Sequence, residues 1–376
     1  MYLDARNEKK FVVMLAVTDS CNLNCTYCYE HNKSPKLMTF ETAKKIIDYH
    51  FSNYEGFDGI EIDFFGGEPF LNFPLIKQCT AYIRENYDHH KYVLFSPTNG
   101  TLVHGEIQQW LKDNSDIFVC GLSLDGTKEM HDINRCQSFD KIDIDFFVTT
   151  FPSQPVKMTV SEESLPYLSE GVIFCHSKGF EVDCNLAFGI NWDNPRNSDV
   201  LERELFKLMT YYLDHPEIKP SSILAGDIEF LGYNGSKERF VRRWCGAGVD
   251  MKSYDTDGTG YMCQFFMPLS AGEEKAKKSL DMHICHDVPL SLLDEKCQNC
   301  IVLDLCPTCY GSNYVATNNL YAKDVQLCKL QRITIKARSY FKAMQLQKGQ
   351  LNDLTEEKKQ LLVRSIIKIQ EELSID

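Results

Sequence analysis

Cys21-Asn22-Leu23-Asn24-Cys25-Thr26-Tyr27-Cys28 begins a few residues after a short apolar run at 11–17. Three thiolates spaced this closely can wrap one metal centre. An iron–sulfur cube held by three cysteines leaves one iron open to another ligand. Spacing alone also admits a zinc site completed by a residue such as His31, or three unconnected thiols. Asn22 and Asn24 do not compete for a soft metal but can contact exposed backbone there. The run at 11–17 follows a charged start, as a secretion signal does. It lacks a small-residue cleavage site and meets Asp19 and Cys21 directly, so it reads as a strand.

Outward from that loop, the first half alternates between two periods. β-branched and aromatic runs at 11–17, 59–65, 91–96, 117–124, 142–150 and 180–188 read as strands. Helical periodicity fills 39–52, 72–86, 103–113, 128–134 and 161–177. Thr39 is placed to cap the first helix, with Glu41 in the first turn, where the helix dipole favours a carboxylate. Strands alternating with helices imply crossovers and a mostly parallel sheet. Six strands suit an open, curved relative of the eight-stranded barrel, an α/β partial (β/α)6 barrel over about 1–235. Helices are expected at 197–214 and near 223–231. From 236 to 330 periodicity weakens and turn residues multiply. Helical pattern returns in a tail over 331–376, at 329–347 and 354–373, where Leu354, Leu361, Leu362, Ile366, Ile369 and Leu373 form a stripe.

The strand ends carry the polar residues. Strand two ends in Phe65-Gly66-Gly67-Glu68-Pro69, strand three in Pro97-Thr98-Asn99-Gly100, and strand four in Ser123-Leu124-Asp125-Gly126. In barrel-like α/β folds the C-terminal strand ends share one face, where ligands bind. Gly66 and Gly67 permit close backbone approach. Glu68 suits an ammonium group, Asn99 and Ser123 offer hydrogen bonds, and Arg135 can meet a carboxylate or cap a helix. Read one at a time, these segments are also ordinary turns.

Composition narrows the field. Of 376 residues, 43% are hydrophobic and 25% charged, an ordinary globular mixture. The net charge of −13 disfavours nucleic acid or an anionic membrane as a partner, and no run approaches the ~20 apolar residues of a membrane span. Sixteen cysteines without an export signal point to a reducing, cytoplasmic setting and to metal rather than disulfides. Eight of them, Cys245, Cys263, Cys285, Cys297, Cys300, Cys306, Cys309 and Cys328, fall in the weakly periodic segment, where metal ligation can replace a large core. Asp257-Gly258 reads as a hairpin turn folding Cys245 and Cys263 together. The paired x2 spacings fit zinc or clusters equally. Cys79, Cys120, Cys136, Cys175 and Cys184 sit within regular patterns, most of them as core residues.

Cys21-x3-Cys25-x2-Cys28, with Tyr27 before the last cysteine, resembles the signature of radical S-adenosylmethionine enzymes. Gly66-Gly67-Glu68-Pro69 and the segment 123–135 resemble the branch with a SPASM extension. The likeness covers roughly 11–190. It implies a four-iron cluster on the three cysteines, with the amino and carboxylate groups of S-adenosylmethionine on its open iron. It further implies Glu68 near that amino group, Tyr27 beside the adenine, and Ser123, Asp125 and Arg135 holding the cofactor.

The later cysteines resemble the SPASM pattern, which implies two auxiliary four-iron clusters and three [4Fe-4S] clusters in all. Cys297, Cys300, Cys306 and Cys328 would hold the outer one, and Cys245, Cys263 and Cys309 the inner one. The family usually has three residues between the positions matching 306 and 309, and here there are two. Cys285 would supply the eighth thiolate; His283 and His286 flank it.

The resemblance implies a radical enzyme that abstracts hydrogen from a precursor peptide or protein. A reducing partner such as flavodoxin or ferredoxin would supply electrons, and a separate peptide-recognition protein could present the substrate. A thioether or carbon–carbon cross-link is the leading expectation. Formylglycine formation in sulfatases is the alternative, opposed by one residue: sulfatase maturases usually carry Asp directly after the cysteine matching Cys263, and here Gln264 cannot act as a carboxylate base. A zinc-stabilised, non-catalytic binding protein is the remaining reading.

Overall fold

The computed structural model describes residues 8–232, 243, 245–285 and 288–373. Six parallel strands open the chain: β1 (Lys10–Thr18), β2 (Gly59–Gly66), β3 (Tyr92–Thr98), β4 (Phe118–Leu122), β5 (Val156–Val160) and β6 (Val182–Leu186). β1 to β4 pair in chain order, with Leu15 opposite Phe64, Ile62 opposite Leu94 and Phe95 opposite Val119. A bridge between Ser123 and Lys157 carries the curve to β5, which pairs with β6. The connections hold α1 (Phe40–Phe51), α2 (Phe73–Asn86), α3 (Glu106–Asp113), α4 (Lys128–Asn134), α5 (Ile144–Thr150) and α6 (Leu168–Ser177); α7 (Pro195–Asp214) follows β6. This is the expected partial barrel.

Local chemistry explains the elements. Thr39 caps α1 by accepting from the Thr42 backbone N–H at 3.2 Å. The α1 residues Ala43, Ile46, Ile47 and Phe51 then fall on one buried face. β1 is buried on both sides, as its unbroken apolar run requires. Val13, Leu15 and Val17 enter the barrel core, while Ala16 enters a second core with Tyr261, Cys263 and Phe266.

Two expectations fail. Residues 142–150 are not a strand: 144–150 form α5, because the Asp143 carboxylate accepts from the Phe146 N–H at 3.1 Å and nucleates a turn that buries Phe146 and Phe147 together. The fifth strand is Val156–Val160, whose five residues alternate between buried and more exposed positions and are too short to stand out in sequence. The helix expected near 223–231 is only a 3-10 turn at Glu229–Gly232. Upstream of it the carbonyls of Ser222 and Ile223 accept from the Arg338 guanidinium instead of closing helical turns.

The cysteine-rich part is joined to the barrel through the sheet. β7 (Met251–Tyr254) pairs parallel with β1, Val12 opposite Met251 and Leu15 opposite Tyr254, and β8 (Gly260–Tyr261) returns antiparallel beside it. The turn is the one expected at Asp257-Gly258: Gly258 has φ of 85°, and the Asp255 carboxylate accepts from the N–H groups of Asp257 and Thr259. Short helices α8 (Pro268–Ala271), α9 (Glu273–Ser279), α10 (Glu295–Gln298) and α11 (Tyr310–Thr317) follow. Then come α12 (Val325–Gln347) and α13 (Glu356–Leu373). Leu362, Ile366, Ile369 and Leu373 of α13 share a core with Val302 and Leu305, so the tail packs on the cysteine-rich part. The boundary expected at 235–236 lies outside the described residues. No helix among the described residues is long and apolar enough to cross a membrane.

Candidate functional site

The C-terminal ends of β1 to β4 surround one cavity. It is lined by Cys21, Cys25, Tyr27 and Cys28 from the loop after β1, by Gly66, Gly67 and Glu68 after β2, by Asn99 after β3, and by Ser123 and Arg135. Residues far apart in sequence thus meet at one mouth. A larger cavity lies elsewhere, between β6, residues 222–226 and α12, away from these thiols.

The glycine pair is required by close approach. A Cβ on Gly66 would stand 2.0 Å from the Thr18 carbonyl oxygen, and one on Gly67 2.3 Å from that of Ser20. The N–H groups of Gly67 and Glu68 donate to those two carbonyls at 3.1 and 2.9 Å, fixing the start of the cysteine loop. Glu68 is buried, and its carboxylate accepts from Thr98 Oγ1 at 2.8 Å, from the Asn99 N–H at 2.8 Å and from the Phe70 N–H at 3.3 Å. Burial pushes its pKa up to about 7 against those bonds. Asn99 donates to the Asn22 side chain at 2.8 Å, so Asn22 ties the cysteine loop to β3 through a side chain rather than through backbone.

Asp125 is fully buried and is not part of the cavity wall. It stands behind the wall and orients two residues that are part of it. Tyr27 donates its hydroxyl to Asp125 Oδ2 at 2.6 Å, and Arg135 Nε donates to the same oxygen at 2.9 Å. The Arg135 guanidinium also lies over the Tyr27 ring, 5.4 Å from its centroid. The Thr159 N–H completes the set on Asp125 Oδ1 at 2.9 Å.

Sequence reading missed Tyr29, Glu30, Lys33 and Thr98, which line the same cavity. Glu30 is buried, with Oε1 unbonded among the described residues, and burial pushes its pKa up to about 8. Its place two residues after Cys28 was the available signal, but nothing local fixes which way the side chain turns. Tyr29 stacks on Phe265, with centroids 4.5 Å apart, and bonds to the Gln264 side chain. The residue after Cys263 therefore reaches the first cysteine loop.

Neighbouring thiols act on one another's pKa values. Burial raises the Cys25 thiol to a pKa of about 11, with Cys28 and Cys21 adding to the rise. Burial likewise raises Cys263, helped by Cys309 and Cys245. Cys297 is raised by burial and then by Cys306 and Cys328, and Cys306 by burial and then by Cys328 and Cys300. Among the described residues no three His, Cys, Asp or Glu side chains are gathered closely enough to hold a single ion. Cys285 is exposed, and its N–H donates to the Tyr321 hydroxyl at 3.4 Å. Cys285 and Cys245 both raise the pKa of Tyr310, after burial. His286 lies outside the described residues. Cys79, Cys120, Cys175 and Cys184 are buried; Cys136 is exposed, in a left-handed conformation with φ of 56°, and its sulfur accepts from the Asn24 N–H. Cys263, Cys297 and Cys306 are buried, Cys21, Cys25, Cys28, Cys300, Cys309 and Cys328 half-buried and Cys245 exposed. An all-thiol donor set of this kind suits iron–sulfur clusters, and the polar wall beside Glu30 Oε1 suits a polar cofactor.

Fold and triad together define a class: the chain resembles the radical S-adenosylmethionine enzymes that carry a SPASM domain. The family model described as a 4Fe-4S single cluster domain matches residues 11–137. Among solved structures, anSMEcpe with bound AdoMet and the Cp18Cys peptide superposes with a TM-score of 0.67 at 19% identity, over 90% of this chain and 99% of that one. The cysteine-type anaerobic sulfatase-maturating enzyme of Clostridium novyi is 24% identical over 331 residues, 77% of this chain and 84% of its own. An uncharacterised protein of Methanocaldococcus jannaschii is 38% identical over 175 residues, 43% of this chain; the match spans 56% of that relative's length.

Proposed function

We propose that this chain is a radical S-adenosylmethionine oxidoreductase acting on a side chain of a peptide or protein. One observation carries the reading: Cys21, Cys25 and Cys28 border the same cavity as Gly67, Glu68, Asn99, Ser123 and Arg135. Cys21, Cys25 and Cys28 would hold a four-iron cluster. Cys245, Cys263, Cys309 and Cys285, and separately Cys297, Cys300, Cys306 and Cys328, would hold two more. When bound, the first cluster and S-adenosylmethionine supply the electron and the adenosyl radical for hydrogen abstraction. Arg135, held by Asp125, would face the cofactor's carboxylate, and Tyr27 its adenine. Glu68 keeps acceptor capacity for an ammonium group beside its three bonds. A flavodoxin- or ferredoxin-like donor would provide electrons.

Of the two chemistries, the relatives favour oxidation of Cys or Ser to formylglycine over the cross-linking that sequence reading put first. Support comes from the length of the Clostridium novyi match and the near-complete overlap with anSMEcpe. Cross-linking stands second on Gln264, which lies beside Tyr29 at the cavity and offers no carboxylate. Anaerobic reconstitution should give about twelve irons for three cubes. Incubation with S-adenosylmethionine, dithionite and a sulfatase-derived Cys peptide should then release 5′-deoxyadenosine and leave an aldehyde in place of the thiol. Deoxyadenosine release with an unchanged peptide would remove the formylglycine reading. A co-expressed Cys-rich peptide that loses two hydrogens per bridge would put cross-linking in its place. Zinc alone, without sulfide, would sink the enzyme assignment.

A further inference from the structure

Lys323 is buried immediately before α12, the helix that carries Cys328. Its ammonium donates to Cys306 Sγ at 3.0 Å and to the Cys306 carbonyl oxygen at 3.2 Å. Among the described residues both of its hydrogen bonds go to Cys306. Its placement is fixed by the chain: Asp324 caps α12 by accepting from the Gln326 N–H at 2.9 Å, and the Asp324 carbonyl accepts from the Cys328 N–H at 3.2 Å. The cap therefore sets Lys323 and Cys328 on either side of one turn. A buried ammonium without a counter-ion is strongly unfavourable. Among the described residues the group placed to carry its counter-charge is the Cys306 sulfur, one of the four expected ligands of the outer cluster.

We propose that Lys323 is a fixed positive charge serving the outer auxiliary cluster, a positioning residue that favours the cluster's reduced form. The inference rests on the reading of those four cysteines as cluster ligands. A cube held by four thiolates becomes one unit more negative when it gains an electron. An N–H donor and a cation at the ligand sulfur stabilise that state more than the oxidised one. Oxidation of the substrate radical would send one electron towards the outer cluster and release one proton to solvent, with no proton transfer at Lys323. An acceptor of the flavodoxin or ferredoxin class would take up that electron in turn. In this arrangement Lys323 makes the outer cluster the receiving end of the path.

The test uses the full chain with Cys21, Cys25 and Cys28 replaced by Ala, so that only the auxiliary signals remain. Iron is counted, and each cluster's midpoint is read by anaerobic electron paramagnetic resonance across a potential series. Lys323→Met should keep its iron yet lower the one-electron reduction constant of one cluster about tenfold, a 59 mV fall. Lys323→Arg should restore it to within about threefold. Loss of one cube's iron in Lys323→Met but not in Lys323→Arg would equally support a required cation. Full iron with an unmoved midpoint in Lys323→Met would overturn the inference, as would equal iron loss in both variants. A parent lacking the second cube would instead overturn the ligand reading beneath it, and the iron count separates the two failures.

Discussion

Replacing Asp125 with Ala removes the one carboxylate that serves Arg135, Tyr27, Asn134 and Thr159 at once. Both partners of the ion pair are buried, Asp125 fully and Arg135 at 7% exposure, so solvent cannot replace the lost charge. Breaking such a pair from one side costs about 3–5 kcal/mol, because the remaining charge stays buried. The Thr159 N–H, now without its acceptor, adds about 1–3 kcal/mol. The combined loss should be roughly 4–6 kcal/mol, since neighbouring terms do not add fully. Urea unfolding of the metal-free chain, followed by circular dichroism, should show a midpoint lower by about 1–2 M for a slope near 3 kcal/mol per M. Adding Arg135→Met to Asp125→Ala should recover about half of the loss or more, because the uncompensated charge is then gone. An Asp125→Ala chain within about 1 kcal/mol of the parent, or a double variant weaker than either single one, would refute the account of Asp125 as the anchor of the Arg135–Tyr27 wall.

Two further outcomes follow from other parts of the chain. Gly67→Ala places a methyl 2.3 Å from the Ser20 carbonyl oxygen, so the cysteine loop must move. Iron analysis should show loss of about four irons with the auxiliary signals intact, and unchanged loading would mean that the loop does not need this contact. His50 is buried against Phe11 with Nε2 at 2.7 Å from the Tyr254 hydroxyl, and burial lowers its pKa to about 4 from the ordinary 6.5. Between those values the unfolded chain binds the extra proton, so stability present above pH 6.5 should fall by roughly 3 kcal/mol as pH drops to 4. A His50→Gln chain should lose that part of the slope, and an identical pH profile in parent and variant would contradict the assignment.

The fold was legible where composition and period agreed. Strands β1 to β4 are long or strongly apolar, and the crossover helices α1 and α2 carry clear buried stripes. It was illegible where a local cap overrode side-chain preference: Ile142, Ile144, Phe146 and Val148 alternate like a strand, yet Asp143 starts a helix. At the site, glycine and cysteine were readable because their chemistry is restrictive: only glycine survives 2.0 Å from a carbonyl oxygen, and thiols seldom cluster by chance. Carboxylates were less readable, because their role depends on which way they point. Asp125 and Glu30 both belong to loops rich in turn residues. One turned away from the cavity into a cage of donors and the other into the cavity, a difference set by tertiary packing.

The two parts of the site are tied by one strand. β1 ends at Thr18, three residues before Cys21, and pairs with β7, whose hairpin partner β8 ends two residues before Cys263. The register of Leu15 on Tyr254 therefore sets where the first cysteine loop stands relative to Cys263. A slip of one residue would turn every β7 side chain to the opposite face and unseat Tyr261 and Cys263 from the core they share with Ala16. The Tyr29–Phe265 stack closes the same junction from the loop side. Under the proposed function an electron passing between clusters would need fixed separations, and loops alone drift. A shared parallel strand with a stacked aromatic pair across its end supplies that fixity from backbone hydrogen bonds and buried area. This explains why the cysteine-rich part extends the barrel's own sheet instead of hanging from a linker.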